Sequence, residues 1–189
     1  MRRMIAIAFG LALVLGTSSV GLAARPAPST LPIAISVSTL DVSATCVGTG
    51  TPCDSTIRLT FSGTVSGQQP FAEIKGVKDP QTVVGTFDFP MATYDAETEC
   101  FSGAMGTIQF LVPKGSGARL AFEVDSIGIT GCAGTFSAAF TVDSDAAEHR
   151  TFDGATGSGV LLLQSDLDHE AVTVSALQVD LSGQVTLTR

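Results

Sequence analysis

The sequence predicts an all-β protein, an antiparallel up-and-down β-barrel of about eight strands. Three observations support this fold. Apolar and polar residues alternate at a spacing of two through most of the chain after residue 33. The alternating stretches are rich in Val, Ile, Thr and Phe, and clusters of Gly, Ser and Asp separate them. Short connections favour hairpins, and closure removes open strand edges, so a barrel is preferred over the alternative, a β-sandwich.

The first 23 residues have the three parts of a secretory signal peptide. Arg2 and Arg3 precede the uncharged run IAIAFGLALVLG, and the small residues Gly21 and Ala23 suit a cleavage site after Ala23. The apolar run is shorter than the roughly 20 residues that a membrane span needs. We therefore expect a secreted or periplasmic protein with no integral membrane segment after cleavage.

The segment 24–32 is predicted to be a linker, because RPAPSTLP carries three prolines in eight residues. A single β-domain is expected over 33–189. The whole chain has a net charge of −8, and loss of Arg2 and Arg3 with the signal peptide makes it −10. Such an acidic chain repels nucleic acid, so no nucleic-acid partner is expected, and the acidity mainly favours solubility.

The strands follow one another with short turns between them. In the first, Ile33, Ile35 and Val37 share one face. AETE at 96–99 is predicted to form a short turn of helix, and no amphipathic helix pattern occurs after the signal peptide. The predicted strands cover residues 33–44, 55–66, 82–89, 105–112, 118–129, 134–143, 157–165 and 171–188.

Four cysteines, Cys46, Cys53, Cys100 and Cys132, predict disulfides in an exported chain. Three connectivities are possible, and the nearest-neighbour pairing is Cys46–Cys53 with Cys100–Cys132. The first would close CVGTGTPC, whose glycines and proline suit a tight turn. A zinc site is the rival interpretation, but the short C-x2–4-C spacing of structural zinc sites is missing.

The stretch TFDGATGSG at 151–159 raises the question of a phosphate-binding loop. Its glycines give G-x-x-G-x-G rather than the dinucleotide pattern G-x-G-x-x-G, and the G-K-[ST] of a P-loop is absent. The following GVLLLQ is typical of a strand, so no helix N-terminus is expected to meet a phosphate. We predict a strand-entry turn here, and no cofactor.

The same stretch resembles a segment of the allene oxide cyclase and dirigent-like barrels, as found in bacterial secreted proteins. The matching residues are Phe152, Gly154, Ala155, Gly157 and Gly159, and the resemblance spans about residues 100–189. It implies a barrel fold and, as an alternative function, a cyclase or isomerase. The polar pocket of allene oxide cyclases includes an Asn, and this chain has none, so no catalytic residue can be assigned.

Few side chains suggest chemistry. Glu123 alternates out of phase with Phe122 and Val124, so it is a candidate for a pocket inside a barrel, against the simpler interpretation of a solvent-facing residue. His149 and His169 lie in loops rich in carboxylates, but flexible loops fix no coordination geometry and no metal is expected. No G-x-S-x-G elbow occurs.

Three functions follow from these observations. The first is an exported, non-catalytic β-barrel domain that binds a small apolar ligand in its mouth. The second is a cyclase or isomerase, by analogy of fold. The third is a structural or surface-interaction protein without a pocket. The contents of the barrel interior discriminate among them.

Overall fold

The protein is described by a computed structural model that covers residues 27–38, 41–50 and 52–188. The predicted signal peptide and the start of the predicted linker lie outside these residues. Within them the fold is all-β, as predicted, with two 3₁₀ turns, Phe71–Glu73 and Met91–Thr93. The strands are β1 (Ser29–Ser38), β2 (Asp41–Val47), β3 (Thr56–Val65), β4 (Gln81–Pro90), β5 (Tyr94–Asp95), β6 (Cys100–Lys114), β7 (Gly117–Cys132), β8 (Thr135–Asp143), β9 (Thr156–Ser165) and β10 (Leu177–Leu187).

All ten strands belong to one antiparallel sheet, in the order β1-β10-β9-β8-β7-β6-β4-β3-β2, with β5 paired to the start of β6. From β2 to β10 each strand lies beside the next long strand in the chain. This meander places alternate connections at the same end of the sheet. Loops that are far apart in the sequence are therefore close together in the structure. None of the described helical segments is long and apolar enough to cross a membrane.

The sheet curls round until its two ends approach each other. Strands β1 and β2 stand at opposite ends of the strand order, yet Ser38 and Asp41 are three residues apart, so their Cα atoms lie within about 11 Å. Strand β1 also contacts β3. No continuous ladder joins the two ends among the described strands, so the predicted barrel closure is not confirmed.

Instead of a ladder, a glutamine of the β3–β4 connection pairs with the edge of β1. The Ser36 N–H donates to Gln68 Oε1 at 2.6 Å, and Gln68 Nε2 donates to the Ser36 carbonyl at 3.0 Å. Beside it, the Ala34 N–H donates to the Gln69 carbonyl at 3.2 Å. The side-chain amide of Gln68 thus satisfies the backbone of the β1 edge as a neighbouring strand would.

Several predicted boundaries differ from the structure; β6, for example, is Cys100–Lys114 where 105–112 was predicted. The stretch 33–44 is not one strand, because its apolar phase changes: Ile35 and Val37 are buried at odd positions, whereas Val42 and Ala44 are half-buried at even ones. A phase change of one residue turns the apolar face over, so the chain breaks into two strands. Strand β1 begins at Ser29, inside the predicted linker, and residues 171–176 form a loop rather than the start of β10. The segment AETE forms a turn rather than a helical turn.

Phenylalanine rings fill the space that the curled sheet encloses. Every phenylalanine within the described residues is 5% exposed or less. Phe71, Phe110, Phe122 and Phe152 form one group with ring centroids 4.9–5.8 Å apart. The buried rings are Phe61, Phe71, Phe87, Phe89, Phe101, Phe110, Phe122, Phe136, Phe140 and Phe152.

Four of these rings lie beside a glycine on the neighbouring strand. The cross-strand pairs are Phe61–Gly85, Phe87–Gly106, Phe136–Gly131 and Phe140–Gly159. A Cβ atom built on Gly106 would lie 2.2 Å from the Phe87 ring, and one on Gly159 would lie 2.6 Å from the Phe140 ring. The glycines therefore leave room for the rings on the tightly curved sheet.

Adding one methyl group at Gly159 is expected to destabilise the fold. The Cβ atom of Gly159→Ala would lie 2.2 Å from the Ser182 carbonyl oxygen of β10 as well as against Phe140, so the two strands would have to separate. We expect a loss of about 1–3 kcal/mol in the free energy of unfolding, measured in urea. Gly117→Ala is the control, since its nearest neighbour is 3.9 Å away. Equal stabilities of the two variants would contradict this packing.

Candidate functional site

Two disulfides confirm the nearest-neighbour pairing of the four cysteines. Cys46 bonds Cys53, with 5.7 Å between Cα atoms, and Cys100 bonds Cys132, with 4.1 Å. Cys100 and Cys132 lie directly opposite each other on β6 and β7. Disulfides form in oxidising compartments, and both bonds are consistent with an extracellular location.

The backbone beside the Cys100–Cys132 bond adopts unusual conformations. Glu99 and Ala133, which flank the two cysteines, have φ of 52° and 48°. Ala133 and Gly134 (φ 78°) form the two-residue turn between β7 and β8, where positive φ at both positions is typical of a type I′ turn. Among the described residues three non-glycine residues have positive φ, and the third, Val172, lies in the loop before β10. Such residues cluster at functional sites.

A surface pocket of about 480 Å³ opens at this end of the sheet, and we call it the disulfide-end pocket. Its wall is aromatic on one side: the Tyr94 ring contacts Phe101, at 4.7 Å between centroids, and His169, at 4.4 Å. Carboxylates form much of the rest. The lining residues are Tyr94, Glu99, Phe101, Ala133, Gly134, Phe136, Ser165, Asp166, Leu167, Asp168, His169 and Glu170.

The potential in this pocket is negative. Desolvation raises the pKa of the Tyr94 hydroxyl, and the neighbouring carboxylates of Glu99 and Glu170 raise it further, because a phenolate there would be repelled. A negative pocket with aromatic faces can hold an organic cation, which the ring faces attract. No group of three or more His, Cys, Asp or Glu side chains within the described ranges is arranged to hold a metal ion.

The loop between β9 and β10 brings His169 and Glu170 to the pocket. Asp166 fixes its two ends, accepting hydrogen bonds from the Ser175 N–H at 2.8 Å and the Ala176 N–H at 2.7 Å, and also from the Ser175 hydroxyl. Asp168 fixes its tip by accepting from the N–H groups of Glu170 and Ala171. These short polar side chains reinforce the backbone bonds of the loop, in which Asp168 and Thr173 exchange hydrogen bonds at 2.9 and 3.1 Å.

Asp166→Asn is expected to weaken the loop in a pH-dependent way. Hydrogen bonds from Ser175 and Ala176 lower the pKa of Asp166 below its ordinary value of 3.8. The carboxylate therefore stabilises the fold above the unfolded pKa of about 3.9 and loses this effect as the pH falls through the lower folded value. We expect a deficit of about 1 kcal/mol at pH 7, modest because the group is exposed, which shrinks as the pH falls below the unfolded pKa and through the lower folded one. Urea denaturation of the wild-type protein and of Asp166→Asn, at pH 7 and at an acidic pH, measures the deficit. A deficit that does not change with pH would contradict the role of the Asp166 carboxylate in the loop.

Glu123 does not line any of the pockets described here. It lies on β7 among the polar, outward positions, while its neighbours Phe122 and Val124 are fully buried. Its carboxylate accepts a hydrogen bond from Gln109 Nε2 at 2.6 Å. Glu123 is half-buried there, and its role in a ligand pocket stays a prediction.

The glycine-rich stretch TFDGATGSG divides into a turn and a strand. Gly154 lies in the turn with φ of 72°, and the Phe152 and Ala155 side chains beside it are buried. Gly157 and Gly159 lie within β9, where a Cβ on either would collide with backbone oxygens of β10. A strand does follow, as predicted, but two of the five residues predicted as a strand-entry turn belong to the strand itself.

The fold and the pocket define a disulfide-linked, all-β domain with a filled interior and polar sites at its surface. Comparisons with protein-family models, with curated proteins and with solved structures gave no match.

Proposed function

We propose that the protein is an exported, non-catalytic β-domain that acts by binding at its surface. The observation that carries the proposal is the filled interior, where the buried phenylalanine rings occupy the space in which a small apolar ligand was expected. Interiors packed to this degree leave little free volume for a ligand. The polar pockets lie instead among the loops at the ends of the sheet.

The cyclase or isomerase alternative receives less support. Such chemistry needs a proton donor or acceptor in contact with a sheltered substrate. Within the described residues the buried polar side chains are Gln81, Ser126 and Ser144, none of which is charged. The predicted signal peptide and the two disulfides support export. Bridging by Gln68 supports a barrel-like closure of the sheet.

Mass spectrometry under native conditions tests the proposal. The secreted protein is purified without detergent, and its intact mass is compared before and after denaturation, with an organic extract analysed for lipids and isoprenoids. We expect no co-purified apolar molecule, because the interior is filled. A stoichiometric apolar ligand would overturn the proposal and restore the carrier hypothesis.

The disulfide-end pocket is the site that we propose for the partner, a cationic group held against Tyr94. Titration with tetramethylammonium, followed by NMR, should shift the resonances of Tyr94 and His169. Glu170→Gln should weaken binding several-fold, since it removes a carboxylate from the pocket, whereas Glu123→Gln makes the same charge change on the outer sheet face and should not. If both variants bound tetramethylammonium equally well, the result would contradict binding of the cation in the disulfide-end pocket.

A further inference from the structure

Within the part of the chain that the structure describes, the lysines and arginines are concentrated at one place. The described residues contain six of them, and four line one pocket of about 640 Å³. We call it the basic pocket; it lies at the β6–β7 hairpin tip, the end of that hairpin opposite to the Cys100–Cys132 bond. Its lining residues are Gly76, Lys78, Pro113, Lys114, Gly115, Arg119, His149 and Arg150.

Three separate connections converge to build the basic pocket. Lys114 and Arg119 come from the β6–β7 hairpin, Lys78 from the β3–β4 connection, and His149 and Arg150 from the β8–β9 loop. The meander places all three connections at one end of the sheet. Because these cations come from distant parts of the chain, a local run of basic residues does not explain why they lie together.

Buried contacts hold these connections in place. In the β8–β9 loop, the N–H groups of Glu148 and His149 donate to the Leu120 carbonyl of β7 at 3.0 and 3.1 Å. The Phe152 ring anchors the end of this loop in the core, 5.8 Å between centroids from Phe71 of the β3–β4 connection. Contacts with the packed interior therefore fix the positions of the loops that form the basic pocket.

The charges in the basic pocket are not balanced by the protein. No carboxylate lines it, and no ion pair joins its four cations to a carboxylate in the part of the chain that the structure describes, where Arg58 is paired with Asp88 at 2.7 Å. Like charges gathered in one cleft repel one another, and an anion relieves this repulsion. Burial, Arg119 and Lys114 lower the pKa of His149, which reports the same positive potential.

A polar atom without a partner gives a second indication. The Nδ1 atom of His149 is buried and makes no hydrogen bond within the described residues. Buried polar atoms are nearly always satisfied in folded proteins, and exceptions mark bound water, ions or function.

We propose that the basic pocket binds the phosphate or sulfate group of a small molecule. Arg119 and Arg150 can each present two parallel N–H donors to such an oxyanion, while Lys78 and Lys114 add charge from the rim. This site is independent of the disulfide-end pocket and goes beyond the proposed function, since it assigns a second ligand of opposite charge.

Calorimetric titration with inorganic pyrophosphate at low salt tests the proposal. We expect saturable binding by the wild-type protein, weakened about tenfold or more in Arg119→Gln and in Lys114→Gln, because each removes charged hydrogen bonds to the anion. Arg58→Gln is the matched control, with the same change of net charge on a distant strand. Circular dichroism establishes that the variants are folded.

Vesicles distinguish the source of the oxyanion. Sedimentation with phosphatidylcholine vesicles that contain phosphatidate, against pure phosphatidylcholine, shows whether a lipid headgroup is also bound through Arg119 and Lys114. Binding of pyrophosphate alone assigns the basic pocket to a soluble ligand, and binding of both assigns it to the shared phosphate group. The proposal is overturned if the wild-type protein binds neither, or if Arg58→Gln weakens binding as much as Arg119→Gln.

Discussion

Removal of the Cys100–Cys132 bond by Cys100→Ala with Cys132→Ala is expected to lower the free energy of unfolding by about 4 kcal/mol. The bond closes a loop whose ends are 32 residues apart in the chain. In the chain-entropy description, opening such a loop raises the conformational entropy of the unfolded chain, which lowers the free energy of unfolding by this amount. The bond also holds Glu99 and Ala133 at the rim of the disulfide-end pocket, so the pocket should loosen as well.

The second disulfide provides the comparison. The Cys46–Cys53 bond spans only 7 residues, so the same description gives about 2.5 kcal/mol for Cys46→Ala with Cys53→Ala. Urea denaturation of the two double variants and the wild-type protein measures both losses. A larger loss from the short loop than from the long one would contradict the loop-closure explanation.

Replacement of Phe122 by Ala is expected to cost about 3–5 kcal/mol. Phe122 is fully buried, and its ring packs on Phe110 at 4.9 Å, Phe152 at 5.4 Å and Phe71 at 5.6 Å between centroids. Truncation leaves a cavity among three rings that hold two of the connections of the basic pocket. The loss therefore combines lost burial with an unfilled space.

Ile127→Ala on the same strand is the matched control. Ile127 is 83% exposed on the outer face, so its truncation should change stability by about 0.5 kcal/mol or less. Thermal and urea denaturation compare the two variants. If Phe122→Ala were no more destabilising than Ile127→Ala, the aromatic ring would not lie in a packed interior.

Much of the fold could be predicted because the strands alternate clearly. The break within 33–44 could also have been predicted, since the apolar positions change from odd at Val37 to even at Val42. The contact of the β1 edge with the β3–β4 connection could not, because it depends on the side chain of Gln68, whose role is fixed by tertiary contact with Ser36. Periodicity carries no information on such a contact.

The sites were harder to predict than the strands. The observed cysteine pairing was one of three that the sequence left open. The disulfide-end pocket joins Tyr94 and Glu99 to His169, which are far apart in sequence. A meander places alternate connections at one end, so counting strands would have placed these loops together. Which residues of these loops touch one another depends on tertiary packing, which strand counting does not give. The same holds for Lys78, Lys114 and Arg150 of the basic pocket.

The role of the strand glycines was visible only in three dimensions. The sequence places Gly157 and Gly159 both in the predicted strand-entry turn and at the start of the predicted strand 157–165, because a glycine within a strand often marks a bend or bulge. In the structure Gly159 lies opposite Phe140, and the pairs Phe61–Gly85 and Phe87–Gly106 repeat the arrangement. A phenylalanine on one strand therefore explains a glycine on the next.

The filled interior is the central claim, and binding of xenon tests it most directly. Xenon enters empty apolar cavities, so a crystal pressurised with xenon shows free volume within a protein. We expect no xenon site among Phe71, Phe110, Phe122 and Phe152, and a xenon site in Phe122→Ala as the positive control. A xenon atom inside the curled sheet of the wild-type protein would contradict the claim and favour an internal ligand.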